Sequence, residues 1–114
     1  MAGDIDQMRK GTTTVAILKL LVDDDEPLHG YEIIRRLEAR SQGYFRFKEG
    51  LVYPTLHRME QDGVLESRWL GEPGTRRRKV YVVTDKGRRQ FEVEMQRWQI
   101  FAQQMNQLLG LETA

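Results

Sequence analysis

"KEGLVYPTLHRMEQDGVL", residues 48–65, spaces Val52, Leu56 and Met59 along one side of a helix and closes on Gly63. A glycine just past the last periodic residue can adopt the left-handed conformation that ends a helix. Pro54 interrupts this short run. Inside a regular helix a proline removes a backbone donor, crowds the preceding turn and costs about 3 kcal/mol. Here it falls about one turn from the start, close to amides that have no intrahelical acceptor, where the loss is smaller. Its fixed φ also stiffens the turn that carries Tyr53. Lys48, Glu49, Tyr53, His57 and Arg58 occupy the outer faces. Such a helix buries one side and offers the other to a partner.

Upstream, "TTTVAILKLLV" (12–22) places Val15, Leu18 and Val22 on one helical edge with Ile17 and Leu21 beside it, and a threonine can cap its start. "DDDEP" (23–27) stops that helix, because acidic residues disfavour a helix C-terminus and Pro27 cannot continue it. "LHGYEIIRRLEARSQG" (28–43) predicts a second helix, apolar at Tyr31, Ile34 and Leu37 with Ile33 adjacent, closing near Gly43. Downstream lie two extended runs, "VLESRWL" (64–70) and "KVYVVT" (79–84), the second rich in β-branched and aromatic residues. Between them "GEPGTRRR" is a hairpin loop too long for a two-residue turn, and basic at its end. Three helices followed by a basic hairpin outline a winged helix-turn-helix over residues 1–84: a mainly α fold with a small β-hairpin.

Residues 85–114 predict one long helix. Thr84 can cap it and Asp85 suits its first turn. Phe91, Met95, Trp98, Ala102, Met105 and Leu109 then follow at alternating spacings of four and three, up to Gly110. Some 25 residues make a rod of roughly 37 Å, longer than such short helices can cover. Its seam predicts a partner, most simply a second copy of the same chain.

Composition narrows the chemistry. A chain of 114 residues with 39% hydrophobic and 31% charged residues falls in the globular range, away from disorder. It has no cysteine, which excludes a disulfide framework, a thiol nucleophile and a zinc–thiolate site. No run approaches the ~20 apolar residues of a membrane span or has signal-peptide character, so the expectation is a soluble cytoplasmic protein. His29 and His57 are the only histidines, and no Ser/His/Asp order, phosphate-cradling glycine loop or H-E-x-x-H pair accompanies them. No enzyme, metal site or cofactor is expected, and His29 before Gly30 reads as structural. The net charge of +1 conceals a partition: residues 64–90 carry +5, while the segments on either side carry −2 each. Local positive charge of this kind attracts phosphate.

Taken in order, "LHGYEIIRRLE", "LVYPTLHRMEQDGVLES", "TRRRKVYVVTDKGRRQF" and the Arg97–Trp98 pair of the last helix resemble PadR-type transcriptional regulators from about residue 10 to residue 108. The single C-terminal helix resembles the compact branch of that family, whose members are homodimers joined through it. The resemblance implies a repressor binding a palindromic operator in double-stranded DNA, with residues 49–62 as the recognition helix. It places the Tyr53 hydroxyl near the DNA backbone and Lys48, Glu49, His57 and Arg58 around it. Arg76, Arg77, Arg78 and Lys79 become the wing, of which strand alternation lets about two reach phosphates or the minor groove. Lys48 stands where the family often has a serine cap, and Leu51 where a small or hydroxylated residue is usual.

In multidrug-responsive members a tryptophan corresponding to Trp98 in "MQRW" lines a pore across the dimer and stacks planar drugs. That implies a small aromatic or phenolic effector held by Met8, Met95, Trp98 and Phe101. Simple dimer packing is the alternative for Trp98. For the whole chain the alternative is a winged-helix protein-interaction module without an operator, against which the basic wing argues.

Overall fold

The computed structural model describes the backbone of residues 2–111 and the side chains of residues 11–111. These form α1 (Ala2–Asp24), β1 (Leu28–His29), α2 (Gly30–Arg40), α3 (Glu49–Gln61), β2 (Leu65–Leu70), β3 (Arg78–Val83) and α4 (Asp85–Leu109). The strands make one antiparallel sheet in the order β1-β3-β2. Ile17, Leu18 and Leu21 of α1, Ile33, Ile34 and Leu37 of α2, and Val52, Leu56 and Met59 of α3 close one core with Leu65, Tyr81 and Phe91. Most of these are the positions that the helical periodicity selects.

Four local features differ from the expectation. First, α1 begins at Ala2, so Thr12, Thr13 and Thr14 lie within it instead of at its start. Residues 2–11 carry no sustained apolar repeat, and only the part of the helix that meets the core has a legible period. Second, residues 28 and 29 are a strand: Leu28 pairs with Tyr81 and His29 with Val80. The helix starts at Gly30 instead, with His29 as its cap, Nδ1 accepting the Glu32 amide at 3.2 Å. Third, Tyr31 is 54% exposed. The buried stripe of α2 runs through Gly30, Ile33, Ile34 and Leu37, and Tyr31 is turned about 100° from it. Fourth, Pro54 is the sixth residue of α3, deeper than the orphan donors. Its missing donor leaves the Gly50 carbonyl without an intrahelical partner, and Gly50 is exposed, so water can solvate that oxygen.

The acidic end of α1 is clamped to the basic face of α2. Arg36 donates to Asp24 at 2.8 Å, Glu26 at 2.7 Å and Glu32 at 3.0 Å, and Arg40 reaches Asp23 at 2.9 Å and Asp24 at 2.8 Å. Carboxylates that would oppose the α1 dipole are thereby neutralised, and α2 is fixed beside α1.

The last turn of α3 is joined directly to the first turn of α4. Gly63 takes φ 78°, its amide bonding to the Glu60 carbonyl at 3.0 Å and that of Val64 to Met59 at 3.0 Å, which ends α3. Thr84 caps α4 by accepting the Gly87 amide at 3.0 Å while donating its hydroxyl to the Gly63 carbonyl at 2.7 Å. The Thr84 amide bonds to the Val64 carbonyl at 3.1 Å, and Lys86 Nζ to the Asp62 carbonyl at 2.7 Å. Gly87 is buried here, and a Cβ on it would overlap the Val64 carbonyl oxygen.

Phe91 is 8% exposed and belongs to this same core, so it is not part of an external seam as its spacing suggested. Met95 is half-buried against the core. Beyond it Trp98, Ile100, Phe101, Leu108 and Leu109 are exposed, and the molecule measures 59 Å along its longest axis against 29 and 28 Å across. No helix among the described residues is long and apolar enough to cross a membrane.

The joint makes Gly87 far less replaceable than a glycine elsewhere on a helix. Gly87→Ala is expected to destabilise the fold by about 1–3 kcal/mol, because backbone must move to admit the methyl. Gly50→Ala, with open space around the new carbon, is expected to be neutral or to stabilise by up to about 1 kcal/mol. Urea unfolding of the two variants beside the parent checks both signs.

Candidate nucleic-acid interface

Lys48, Glu49, Tyr53, His57 and Arg58 are all exposed on α3. Lys48 is the N-cap, with φ −71° and ψ 146°, and its side chain makes no capping hydrogen bond. The Leu51 and Val52 amides bond to the Lys48 carbonyl at 3.0 Å, which leaves the Glu49 and Gly50 amides to water or to an anion. Tyr53 lies over α2: a Cβ on Gly30 would overlap its ring. With no side chain at position 30, the ring lies directly against the start of the neighbouring helix. Partial burial, with the charge of Glu49, raises the phenol pKa, so the hydroxyl stays neutral and can donate to a phosphate oxygen.

A cleft runs from Tyr53 to the hairpin. His29, Gly30, Tyr31, Glu32 and Arg35 line its α2 side, and Arg76, Arg77, Arg78, Lys79 and Tyr81 its wing side. Arg76, Arg77 and Arg78 are exposed. Arg78 Nη1 lies 3.4 Å from His29 Nε2. Because His29 Nδ1 accepts a backbone amide, its proton is on Nε2, and two donors face each other. That contact is not a hydrogen bond, and the Arg78 guanidinium is available to another acceptor.

Lys79 departs from the expected wing role. Its Nζ pairs with Glu60 Oε1 of α3 at 3.1 Å and lies 5.5 Å from the Tyr81 ring centre. The other Glu60 oxygen accepts from the Ser67 hydroxyl. Strand alternation explains this, since Lys79, Trp69, Ser67 and Tyr81 share the hairpin face that meets α3. Lys79 thus fixes the wing to α3, leaving the three arginines to face outward. Arg58 is also placed apart, in a groove with Thr14, Asp62, Lys86 and Gln90 beside the α3–α4 joint.

Tyr31 and Arg35 were not singled out from the sequence. They lie one turn apart on α2, with the Arg35 guanidinium 5.9 Å from the Tyr31 ring centre. Their i, i+4 spacing was the available signal, but assigning Tyr31 to the core obscured it.

On α4, Trp98 and Phe101 have ring centres 5.8 Å apart and line a shallow groove with Gly11, Thr12, Val15, Glu94 and Arg97. Met95 is absent from its lining, and Met8 lies outside the residues whose side chains are described. Ala102 and Met105 are half-buried and Leu109 is exposed farther along the helix.

An exposed helix laid across a second helix, beside a hairpin with three outward arginines, defines a winged helix-turn-helix. Comparison with known proteins agrees. Residues 17–93 match the PadR-like family of transcriptional regulators. A transcriptional regulator from Clostridium thermocellum has TM-score 0.78 and 27% identity over 90% of this chain and 96% of its own. A PadR-like regulator from Bacillus cereus has TM-score 0.73 and 32% identity over 93% and 99%. Transcriptional regulator Rv3488 of Mycobacterium tuberculosis is 39% identical over 64 residues, 56% of either chain. The chain belongs to the PadR-like family: it is a DNA-binding transcriptional regulator and not an enzyme.

The clamp between α3 and the wing should be sensitive to acid. The Ser67 hydroxyl, and then Lys79, hold the Glu60 carboxyl below its ordinary value of 4.5, against the opposing effect of burial. A carboxylate depressed in the folded state contributes stability that is complete above its unfolded value and is lost as pH falls through the folded one. Urea midpoints of the parent and Glu60→Gln should therefore differ near neutral pH. The gap should narrow below pH 4.5.

Proposed function

We propose that this protein acts in the cytoplasm as a homodimeric repressor, binding a palindromic operator and released from it by a small aromatic ligand. The observation that carries the DNA-facing part is the convergence of Tyr53 of α3, Tyr31 and Arg35 of α2 and Arg76, Arg77 and Arg78 of the wing on one cleft. In this reading the first turns of α3 enter the major groove, with Lys48, Glu49 and His57 near base edges. Tyr53 and the α2 residues Tyr31 and Arg35 meet the flanking backbone. The wing arginines reach phosphates or the adjacent minor groove, while Lys79 keeps the wing in position.

Two copies are proposed to join through the outer part of α4, where Trp98, Ile100, Phe101, Leu108 and Leu109 are exposed beside Ala102 and Met105. A two-fold dimer presents two identical reading heads, which is why a palindrome suits it. Tilted against Phe101 in the lining of an apolar groove, Trp98 supports the effector reading, since an indole face favours planar and cationic rings. Met95 in this reading serves the core and only borders the ligand.

The wing should supply affinity more than sequence preference. Arg76→Ala with Arg77→Ala is expected to weaken binding to the protein's own promoter DNA and to unrelated duplex alike. The slope of log affinity against log salt should become shallower by roughly one for each phosphate contact removed. Lost base preference at an unchanged slope would assign the wing to base reading.

The dimer and effector readings share one experiment. Ile100→Lys with Leu108→Lys alters only exposed α4 positions and should give folded monomers by sedimentation. If the effector site spans the dimer, the same variant should no longer bind a planar aromatic cation that quenches Trp98 in the parent. Quenching that survives in monomers would locate the site within one protomer.

A further inference from the structure

On the wing strand β2, Trp69 is 58% exposed. Among the described residues no ring or cation stacks on it. An exposed indole at the end of a charged hairpin contributes little to folding and calls for another explanation.

The strand register gives its direction. Trp69 pairs with Lys79, Ser67 with Tyr81 and Leu65 with Val83. Leu65 and Tyr81 are buried, and Lys79 and Ser67 both bond to Glu60 of α3. Trp69 is the next residue along this α3-facing side, and it extends that surface outward past the last contact with the helix. It forms a ledge beside the outer side of α3 rather than on the back of the wing.

The surroundings select the partner. Arg68, Arg76, Arg77 and Arg78 have no acidic group within ion-pair distance among the described residues. Lys79, the cation facing Trp69, is already neutralised by Glu60. The ledge is thus an apolar ring on one face of the hairpin, with Arg68 and Arg78 on the opposite face and Arg76 and Arg77 in the loop beyond it. Its neighbours on the same face are Lys79 and Ser67, so it is not part of a wide apolar patch of the kind that seats a protein. A polyanion that also offers sugars, methyl groups and base edges fits both features, and α3 lies alongside on the same face.

We infer that Trp69 is a DNA-contacting residue, which packs against the sugars and base edges between the groove entered by α3 and the one reached by the wing arginines. This rests on the α3–wing face being the DNA interface. It assigns the wing an apolar contact beside its ionic ones, in the manner of side chains that wedge against base steps or thymine methyls.

An apolar contact releases no counterion, so it can be separated from the arginine contacts by its salt dependence. The probe is a duplex from the promoter region adjoining the protein's own gene, long enough for two half-sites. Titrating it into the parent protein should change the tryptophan emission. That change should be absent in Trp69→Phe, where Trp98 alone emits. Trp69→Ala should weaken binding about tenfold with an unaltered salt slope, and Trp69→Phe should recover part of the loss. A change in emission that persists in Trp69→Phe, or an unaltered affinity in Trp69→Ala, overturns the inference while leaving the DNA interface intact. Failure of the parent to bind any duplex at low salt overturns the interface and the inference together. Emission that responds to anionic lipid vesicles but not to DNA assigns the ledge to a membrane surface and overturns it as well.

Discussion

The close approach of Gly87 to the Val64 carbonyl is the constraint on which the arrangement of the molecule depends. It brings the first turn of α4 onto the turn that ends α3, near enough for the Thr84 hydroxyl to serve two helices at once. That hydroxyl caps α4 through the Gly87 amide and satisfies the Gly63 carbonyl left over at the end of α3. Helix termini normally leave such groups to water. Here the orphan donors of one helix and the orphan acceptors of another meet through a single threonine. With Phe91 seated in the core four residues later, the long helix leaves the domain in a direction that side-chain rotation cannot change.

A second clamp orients the wing. A two-stranded hairpin alone is at best marginally stable in water, and the arginine-bearing loop adds self-repulsion. β3 is supported on one edge by β1, and its α3-facing side is held by Glu60, which takes a hydroxyl from β2 and an ammonium from β3. Each of these bonds is partly exposed and individually modest. Together they fix the distance between the outer face of α3 and the wing arginines, and that distance decides whether both can meet one duplex.

Much of this was legible in the sequence because the signals were local. The apolar periods of α2 and α3, the glycine after Asp62 and the threonine before Asp85 each follow from a few neighbouring residues, as does the run of arginines. What could not be read was decided by tertiary geometry. The second helix starts at Gly30, a buried position beside Tyr53, instead of at Leu28. Its apolar stripe runs through Gly30, Ile33, Ile34 and Leu37, and counting Tyr31 into that stripe concealed the Tyr31–Arg35 pair. The strand at Leu28 and His29 is too short to show a period and exists only because β3 has a free edge. Lys79 looked equivalent to the three arginines before it, and only the register of β3 against α3 tells it apart. Phe91 fits the α4 seam by spacing, but that seam changes from intramolecular to exposed along its length, and spacing alone cannot show where.

The two clamps make the domain rigid from wing to α4, which bears on how a ligand far from the DNA could alter binding in the proposed dimer. From Gly87 to Leu109 the helix is a lever of roughly 33 Å. If two such levers cross near Trp98 and Phe101, the arm from the crossing back to the joint is roughly 16–21 Å, and a rotation of each helix by about 5° displaces its joint by about 1.5 Å. The joint has no slack to absorb it, because Gly87 already touches the Val64 backbone, so α3 and the wing move with the helix. Half-sites one turn apart on a duplex are separated by about 34 Å, and bonds to base edges fail over a fraction of an ångström. A ligand that only widens the spacing between two α4 helices could thus remove both recognition helices from register without deforming either domain. The energy it must supply is the difference in its affinity for the two spacings, and no more is needed.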